Sequence, residues 1–181
     1  MIITGGLNKG QKVKTVNSRE VRPTSAKVRE SIFNIIQNSI AGSVMLDLFA
    51  GSGIIGLEAM SRGAKKVVFV EKNYKVAEIL KENLSQFELD CELIITDAVL
   101  ALDRLKGYKF DIIFADPPYA MSNIIEPILE KIRDNDLLYT TQGIVIIEHS
   151  PDYNAAETGK NTGFEVLKQK KYGDTAITIL F

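Results

Sequence analysis

From position 44 onward, short apolar runs alternate with amphipathic stretches. The runs predict strands at 44–49, 66–71, 92–96, 111–115 and 144–148. The stretches between them carry apolar residues three and four apart and predict helices near 54–62, 74–87, 99–105 and 123–135. Strands that are apolar throughout and alternate with helices imply a parallel sheet covered on both faces. After His149 the alternation stops, and two β-rich runs, 164–172 and 175–181, meet at Gly173-Asp174. They predict an antiparallel hairpin added to the sheet. The Gly- and Asn-containing stretch from Asp152 to Gly163 reads as a mobile loop.

The first 40 residues follow a different pattern. Met1-Ile2-Ile3, then Gly5-Gly6 and Lys9-Gly10, then Val13 and Val16, predict a small hairpin with glycine-assisted turns. Pro23 favours an extended residue before it, and Thr24 or Ser25 can cap a helix. Val28, Ser31, Ile32, Ile35, Ile36 and Ile40 recur at helical spacing, which predicts one helix with Lys27 and Arg29 nearer the surface. The expected architecture is therefore α/β: a mostly parallel seven-stranded sheet with helices on both faces and a C-terminal antiparallel hairpin. A hairpin and helix extension, 1–40, precedes the main body, 41–181.

Composition narrows the function. At 181 residues and 45% hydrophobic content, the chain can bury one good core. It contains no apolar stretch long enough to span a bilayer and no signal-peptide order at its start, so a soluble, cytoplasmic protein is expected. Cys91 and His149 are single residues of their kinds, which excludes a disulfide and a Cys/His metal centre. His149 reads as a strand-end residue, because no motif supplies it with a partner. The net charge of −1 hides an asymmetry: residues 1–31 carry a net +5 and the remainder −6. A basic arm on an acidic body attracts a polyanion to one face, or is simply a solvated terminus.

Candidate chemistry gathers at the ends of the predicted strands. Gly51, Gly53 and Gly56 match G-x-G-x-x-G, which lets the backbone turn tightly and approach a ligand at a helix start. Glu71 ends the second strand, where a carboxylate can accept both hydroxyls of a ribose. Thr96-Asp97-Ala98 follows the third strand, Asp47 stands before the glycines, and Asp116 follows the fourth. Acids at successive strand ends line the edge where open α/β sheets bind ligands. An acid just before the glycine loop would repel the pyrophosphate of a dinucleotide such as NAD, but suits a cationic amine. S-adenosylmethionine offers an ammonium, a ribose and an adenine to Asp47, Glu71 and Asp97 in that order.

Asp116-Pro117-Pro118-Tyr119 forms a polar and aromatic turn. Two prolines fix φ and remove donors, so the strand stops and the corner presents a carboxylate, carbonyls and a ring. Taken alone, such a turn is also an ordinary way to close a strand.

With these motifs in place, the chain resembles the class I S-adenosylmethionine-dependent methyltransferases, with their Rossmann-like sheet. More narrowly, it resembles the RsmD family of bacterial small-subunit (16S) ribosomal RNA guanine 2-amino methyltransferases. The supporting stretches are Asp47-Leu48-Phe49-Ala50-Gly51-Ser52-Gly53, the turn at Asp116, Arg22-Pro23-Thr24, Val28-Arg29-Glu30-Ser31-Ile32-Phe33-Asn34, 56–64 and Tyr172-Gly173-Asp174-Thr175. The resemblance implies catalytic roles for Asp116, Pro117 and Tyr119 and cofactor contacts at Asp47, Gly51, Gly53, Glu71, Asp97 and Ala98. It also implies a small-subunit ribosomal RNA partner held in part by the N-terminal arm; the shortness of that arm points to a ribosomal subunit or assembly intermediate as the acceptor, and a monomer is expected. Pro118, Lys9, Lys12, Arg22 and Arg29 are the substrate-side candidates, with Arg22 or Arg29 alternatively bracing the site through acidic partners. Where the family commonly has arginine in the N-terminal hairpin, this chain has lysine, which keeps charge and loses bidentate phosphate recognition. Two rivals remain at this stage: the same cofactor with a DNA adenine or protein glutamine amide as acceptor, and a non-catalytic RNA-binding assembly protein.

Overall fold

In the computed structural model, which describes residues 1–15, 24–87, 90–139 and 142–181, the apolar runs form one seven-stranded sheet. Its strands are β1 (Val44–Asp47), β2 (Lys66–Glu71), β3 (Cys91–Ile95), β4 (Ile112–Ala115), β5 (Ile144–His149), β6 (Val166–Tyr172) and β7 (Thr175–Leu180). The spatial order is β3-β2-β1-β4-β5-β7-β6. The first five strands pair in parallel, and β7 runs antiparallel to both β5 and β6. The chain works outward from β1 to β3 and then crosses back to β4. The order therefore reverses between β1 and β4, which opens a crevice at their carboxyl ends.

The two-residue period of a strand sorts its side chains between two cores. Met45, Val67, Phe69, Phe114, Ile146 and Ile177 face one side, and Leu46, Val68, Val70, Ile113, Val145 and Ile147 the other. The first side is covered by α1 (Ala26–Ile35), α3 (Ile54–Ser61) and the apolar face of α4 (Tyr74–Leu84). The second is covered by α5 (Ala98–Arg104) and α6 (Ile125–Asp134). A 3-10 segment, Tyr119–Ile124, leads into α6. The predicted helix at 26–40 is interrupted at Ile36 (φ −96°, ψ 13°), so that a short α2 (Gln37–Ile40) sets off on its own.

Two expectations are corrected. The stretch 152–163 contains a helix, α7 (Ala155–Asn161), capped by Asn154, whose side chain accepts the Glu157 N–H at 3.2 Å. Its buried positions are Ala155 and Gly159, and a Cβ at Gly159 would lie 2.7 Å from a Leu180 methyl carbon. Close approach to β7 thus replaces the stripe of large apolar residues that would have marked the helix. Arg29, expected near the surface, is 3% exposed. Its guanidinium donates to the carbonyls of Thr24 (2.9 Å) and Ile2 (2.8 Å), and lies 4.0 Å from a Glu58 oxygen.

Among the described residues the N-terminal hairpin is reduced to one bridge, Ile2 with Lys12, flanked by backbone bonds from Ile3 to Gln11, Gly10 to Ile3 and Val13 to Met1; Val16 lies outside the described residues. It shares a core with the body, since Ile3 and Val13 join the cluster of Val28, Phe33 and Met60. Its turn rests on the end of α3: Leu7 N–H donates to Ser61 O at 2.8 Å, and a Cβ at Gly6 (φ +77°) would fall 1.8 Å from that same oxygen. Glu58, fully buried on α3, accepts from Thr4 N–H (2.8 Å), Thr4 Oγ1 (2.7 Å) and Arg62 (2.8 Å).

Candidate functional site

The site lies along the carboxyl edge of the sheet, around the crevice between β1 and β4. β1 stops because Gly51 (φ +55°) and Gly53 (φ +83°) take left-handed conformations that turn the chain into α3. The close packing there admits no side chain at Gly53, whose Cβ would meet Leu80 at 2.3 Å. Asn83, fully buried on α4, fastens the loop by donating to Ser52 O (2.8 Å) and Lys14 O (2.9 Å), while its Oδ1 accepts Lys14 N–H (2.9 Å).

Asp47, the last residue of β1, is 1% exposed, and neither of its carboxylate oxygens has a hydrogen-bond partner. Burial pushes its pKa up to about 7. The nearby N–H groups of Gly56 and Phe49 oppose that rise, and the Glu71 charge adds to it. A buried, unpartnered carboxylate carries a substantial free-energy cost that a cation would relieve. The residues present therefore fit an ammonium at this position.

Glu71 ends β2 with its carboxylate oriented by two N–H groups, Gly51 to Oε2 at 3.0 Å and Asn73 to Oε1 at 2.7 Å. Each oxygen keeps acceptor capacity for a hydroxyl. Asp97 caps α5, its Oδ1 accepting Val99 N–H at 2.9 Å. Ala98 is the first residue of that helix, so its N–H has no intrahelical acceptor and is suited to a ring nitrogen. Glu71 and Asp97 thus follow Asp47 along the carboxyl edge, at the ends of β2 and β3.

Asp116 follows β4 across the crevice from Asp47. Ala115 pairs with Ile147 in the β4–β5 register, so the next residue of β5, Glu148, stands level with Asp116. Glu148 is 4% exposed. Between these acids lies the hydroxyl of Thr24, 3.0 Å from Glu148 Oε2 and 3.3 Å from Asp116 Oδ2. Burial raises the Asp116 pKa well above the usual carboxylate range. The charges of Glu148 and, more weakly, Asp47 add to this, and the Thr24 hydrogen bond opposes it. Sequence reading missed Glu148 and Thr24 as site residues. The available signal was an acid interrupting the apolar run 144–148, level with the Asp116 turn.

Pro117 is buried, Pro118 is exposed, and Met121 N–H closes the turn on Pro118 O at 2.7 Å. Tyr119 is 36% exposed, and its hydroxyl hydrogen-bonds Thr175 at the start of β7. Its ring is therefore fastened at the tip beside Asp116. His149 is buried, its Nδ1 at 2.8 Å from Ser150 O and its Nε2 at 2.8 Å from Thr178 Oγ1, and burial lowers its pKa.

The structure brings Asp47, Gly51, Gly53, Glu71, Asp97, Ala98, Asp116, Pro117 and Tyr119 to one edge. Lys9 and Lys12 are exposed on the hairpin. Arg29 is enclosed by Thr24, Ile2 and Glu58 and presents no open face to a phosphate. Arg22 lies outside the described residues. Among the described residues no group of acids, His and Cys could hold a metal ion, and no helix is long and apolar enough to cross a membrane.

A sheet of this order, with an orphaned acid before a glycine loop and acids ending the next strands, defines a class I methyltransferase, and S-adenosylmethionine is its cofactor. The family model described as Conserved hypothetical protein 95 matches residues 1–181. Ribosomal RNA small subunit methyltransferase D of Haemophilus influenzae is 37% identical over 175 residues, covering 94% of this chain and 88% of its own. Its Escherichia coli K12 counterpart is 32% identical over 146 residues, covering 81% and 73%. A solved Escherichia coli structure overlays with a TM-score of 0.85 at 28% identity, covering 99% of this chain and 96% of that one. The chain belongs to this family, the RsmD family of ribosomal RNA methyltransferases.

Proposed function

We propose that the protein transfers a methyl group from S-adenosylmethionine to the 2-amino group of a guanine in small-subunit ribosomal RNA, acting as a cytoplasmic monomer on a subunit or assembly intermediate. The observation that carries this reading is the Asp116 carboxylate, fixed beside Pro117 by the Thr24 hydroxyl and facing the crevice that Asp47 flanks. The names of the relatives, which specify ribosomal RNA of the small subunit, support the acceptor.

S-adenosylmethionine supplies an electrophilic methyl group on a cationic sulfur. Asp47 would hold its ammonium, Glu71 its ribose hydroxyls, and Asp97 with the Ala98 N–H its adenine. Asp116 and the Pro117 carbonyl would accept the two hydrogens of the exocyclic amine. That contact favours a pyramidal nitrogen whose lone pair points at the methyl group, so catalysis is placement and electrostatics more than strong base chemistry. Asp116 is held toward its protonated form by burial and by Glu148, and it ionises more readily with a cation beside it. The new N–C bond would form as the S–CH3 bond breaks, leaving the cofactor sulfur as a neutral thioether, and the amine proton would then pass to the Asp116 carboxylate or to water. Tyr119, its hydroxyl fixed to Thr175, would stack on the turned-out base and offset part of an unstacking cost of a few kcal/mol.

The test is transfer of labelled methyl groups to small-subunit particles from cells lacking this gene, followed by nucleoside analysis. Label in N2-methylguanosine is the expected result. Label in another nucleoside, or in DNA or protein alone, would refute the guanine assignment.

A further inference from the structure

The cleft mouth continues into a line of exposed lysines on elements outside the N-terminal arm. α1 begins at the site, since Thr24 lies between Asp116 and Glu148. Lys27, exposed, lies in its first turn three residues after Thr24, and four residues further is Ser31 on the same helix face. Ser31 hydrogen-bonds the Tyr172 hydroxyl at the end of β6, and Lys170 Nζ lies 3.4 Å from Ser31 Oγ and 5.0 Å from the Tyr172 ring centroid. Lys168 shares the face of Lys170 and Tyr172 by the two-residue strand period. Lys27, Lys170 and Lys168 therefore run in one direction away from the catalytic turn, and the next turn ties back to Tyr119 through Thr175.

We propose that Lys27, Lys168 and Lys170 form a phosphate-binding track for the RNA strand flanking the target base, a second contact surface distinct from the hairpin lysines. The inference rests on the RNA acceptor proposed above. Charge complementarity carries it: among the described residues none of the three lysines makes an ion pair, and all are exposed beside an otherwise acidic body. Lysines on β6 also discourage edge-to-edge pairing of an outer strand. Lys27 has no part in protecting that edge, because it lies on a helix. Its alignment with the strand lysines through Ser31 is what a track requires and edge protection does not.

The experiment compares the triple variant K27Q/K168Q/K170Q with wild type and with K106Q, an exposed lysine following α5 at the far side of the sheet. Methylation of small-subunit particles is followed as a function of RNA and salt concentration. Each lost phosphate contact removes about 0.7 from the slope of log affinity against log salt for a single strand, so a decrease of about 2 is expected in the triple variant. KM for the particle should rise about tenfold at about 0.15 M salt, while kcat at saturation, cofactor affinity and the melting midpoint stay within roughly twofold or a degree or two of wild type. A triple variant whose salt slope and KM match wild type and K106Q overturns the track and leaves the RNA reading standing. A wild-type protein that neither binds nor methylates RNA overturns both.

Discussion

At the scale of single residues, the proposed contact between Asp47 and the cofactor ammonium ties binding to the protonation state of that acid. Its folded pKa of about 7 lies above the ordinary value of 3.8, so the folded apo-protein holds a proton that the unfolded chain releases. This group's contribution to stability is therefore greatest below about pH 4 and declines as pH rises through 7. Cofactor binding has the opposite sign, because the ammonium needs the ionised acid. Affinity measured by calorimetry should rise between about pH 5 and 7, by up to about tenfold per pH unit, and level off above. Asp47→Asn should bind weakly and lose that dependence. Asp116 answers a different question. Asp116→Ala should lower turnover by at least about 10²- to 10³-fold while sparing cofactor affinity, as expected for a group whose contact matters most in the transition state. A variant retaining most of its kcat would remove Asp116 from the mechanism.

At the scale of elements, the hairpin, α1 and α3 are joined through one buried carboxylate. Glu58 is the acid that faces Arg29 and Arg62 and takes two bonds from Thr4. Glu58→Gln should cost about 3–5 kcal/mol, because it leaves a guanidinium 3% exposed without its counter-charge. Thermal unfolding would report this as a fall of roughly 6–20 °C for a domain of this size. The pattern of the chain revealed the parallel strands and α3 to α6, because each buries a periodic apolar face, and the acids that end those strands could be read with them. It did not reveal α7, whose packing depends on small residues, nor the break at Ile36, where no glycine or proline marks the turn. Arg29 was misplaced for a related reason. The helical period puts it on the buried side with Ile32, and only the fold supplies the carbonyls and acid that make burial tolerable. Thr24 and Glu148 became legible as site residues once β5 was known to lie beside β4, a neighbour relation between distant segments that local patterning does not contain.

At the scale of the whole molecule, the ligand that matches the carboxyl edge should stabilise the entire fold. S-adenosylmethionine at about 100 times its dissociation constant should add about 2.7 kcal/mol, and NAD at the same concentration should shift the melting midpoint little. A larger shift with NAD would contradict the cofactor assignment. The strand order carries a further consequence, for how the protein is made. β7 follows β6 in the chain yet lies between β5 and β6, so the parallel half of the sheet keeps a bare apolar edge at β5 until the final strand inserts. A nascent chain lacking β7 holds the acids for the cofactor but neither a closed edge nor the Thr175 anchor of Tyr119. Closing the β5 edge and fastening the Tyr119 hydroxyl thus both wait on β7, so the catalytic turn gains its Thr175 anchor only once that strand has been made and inserted.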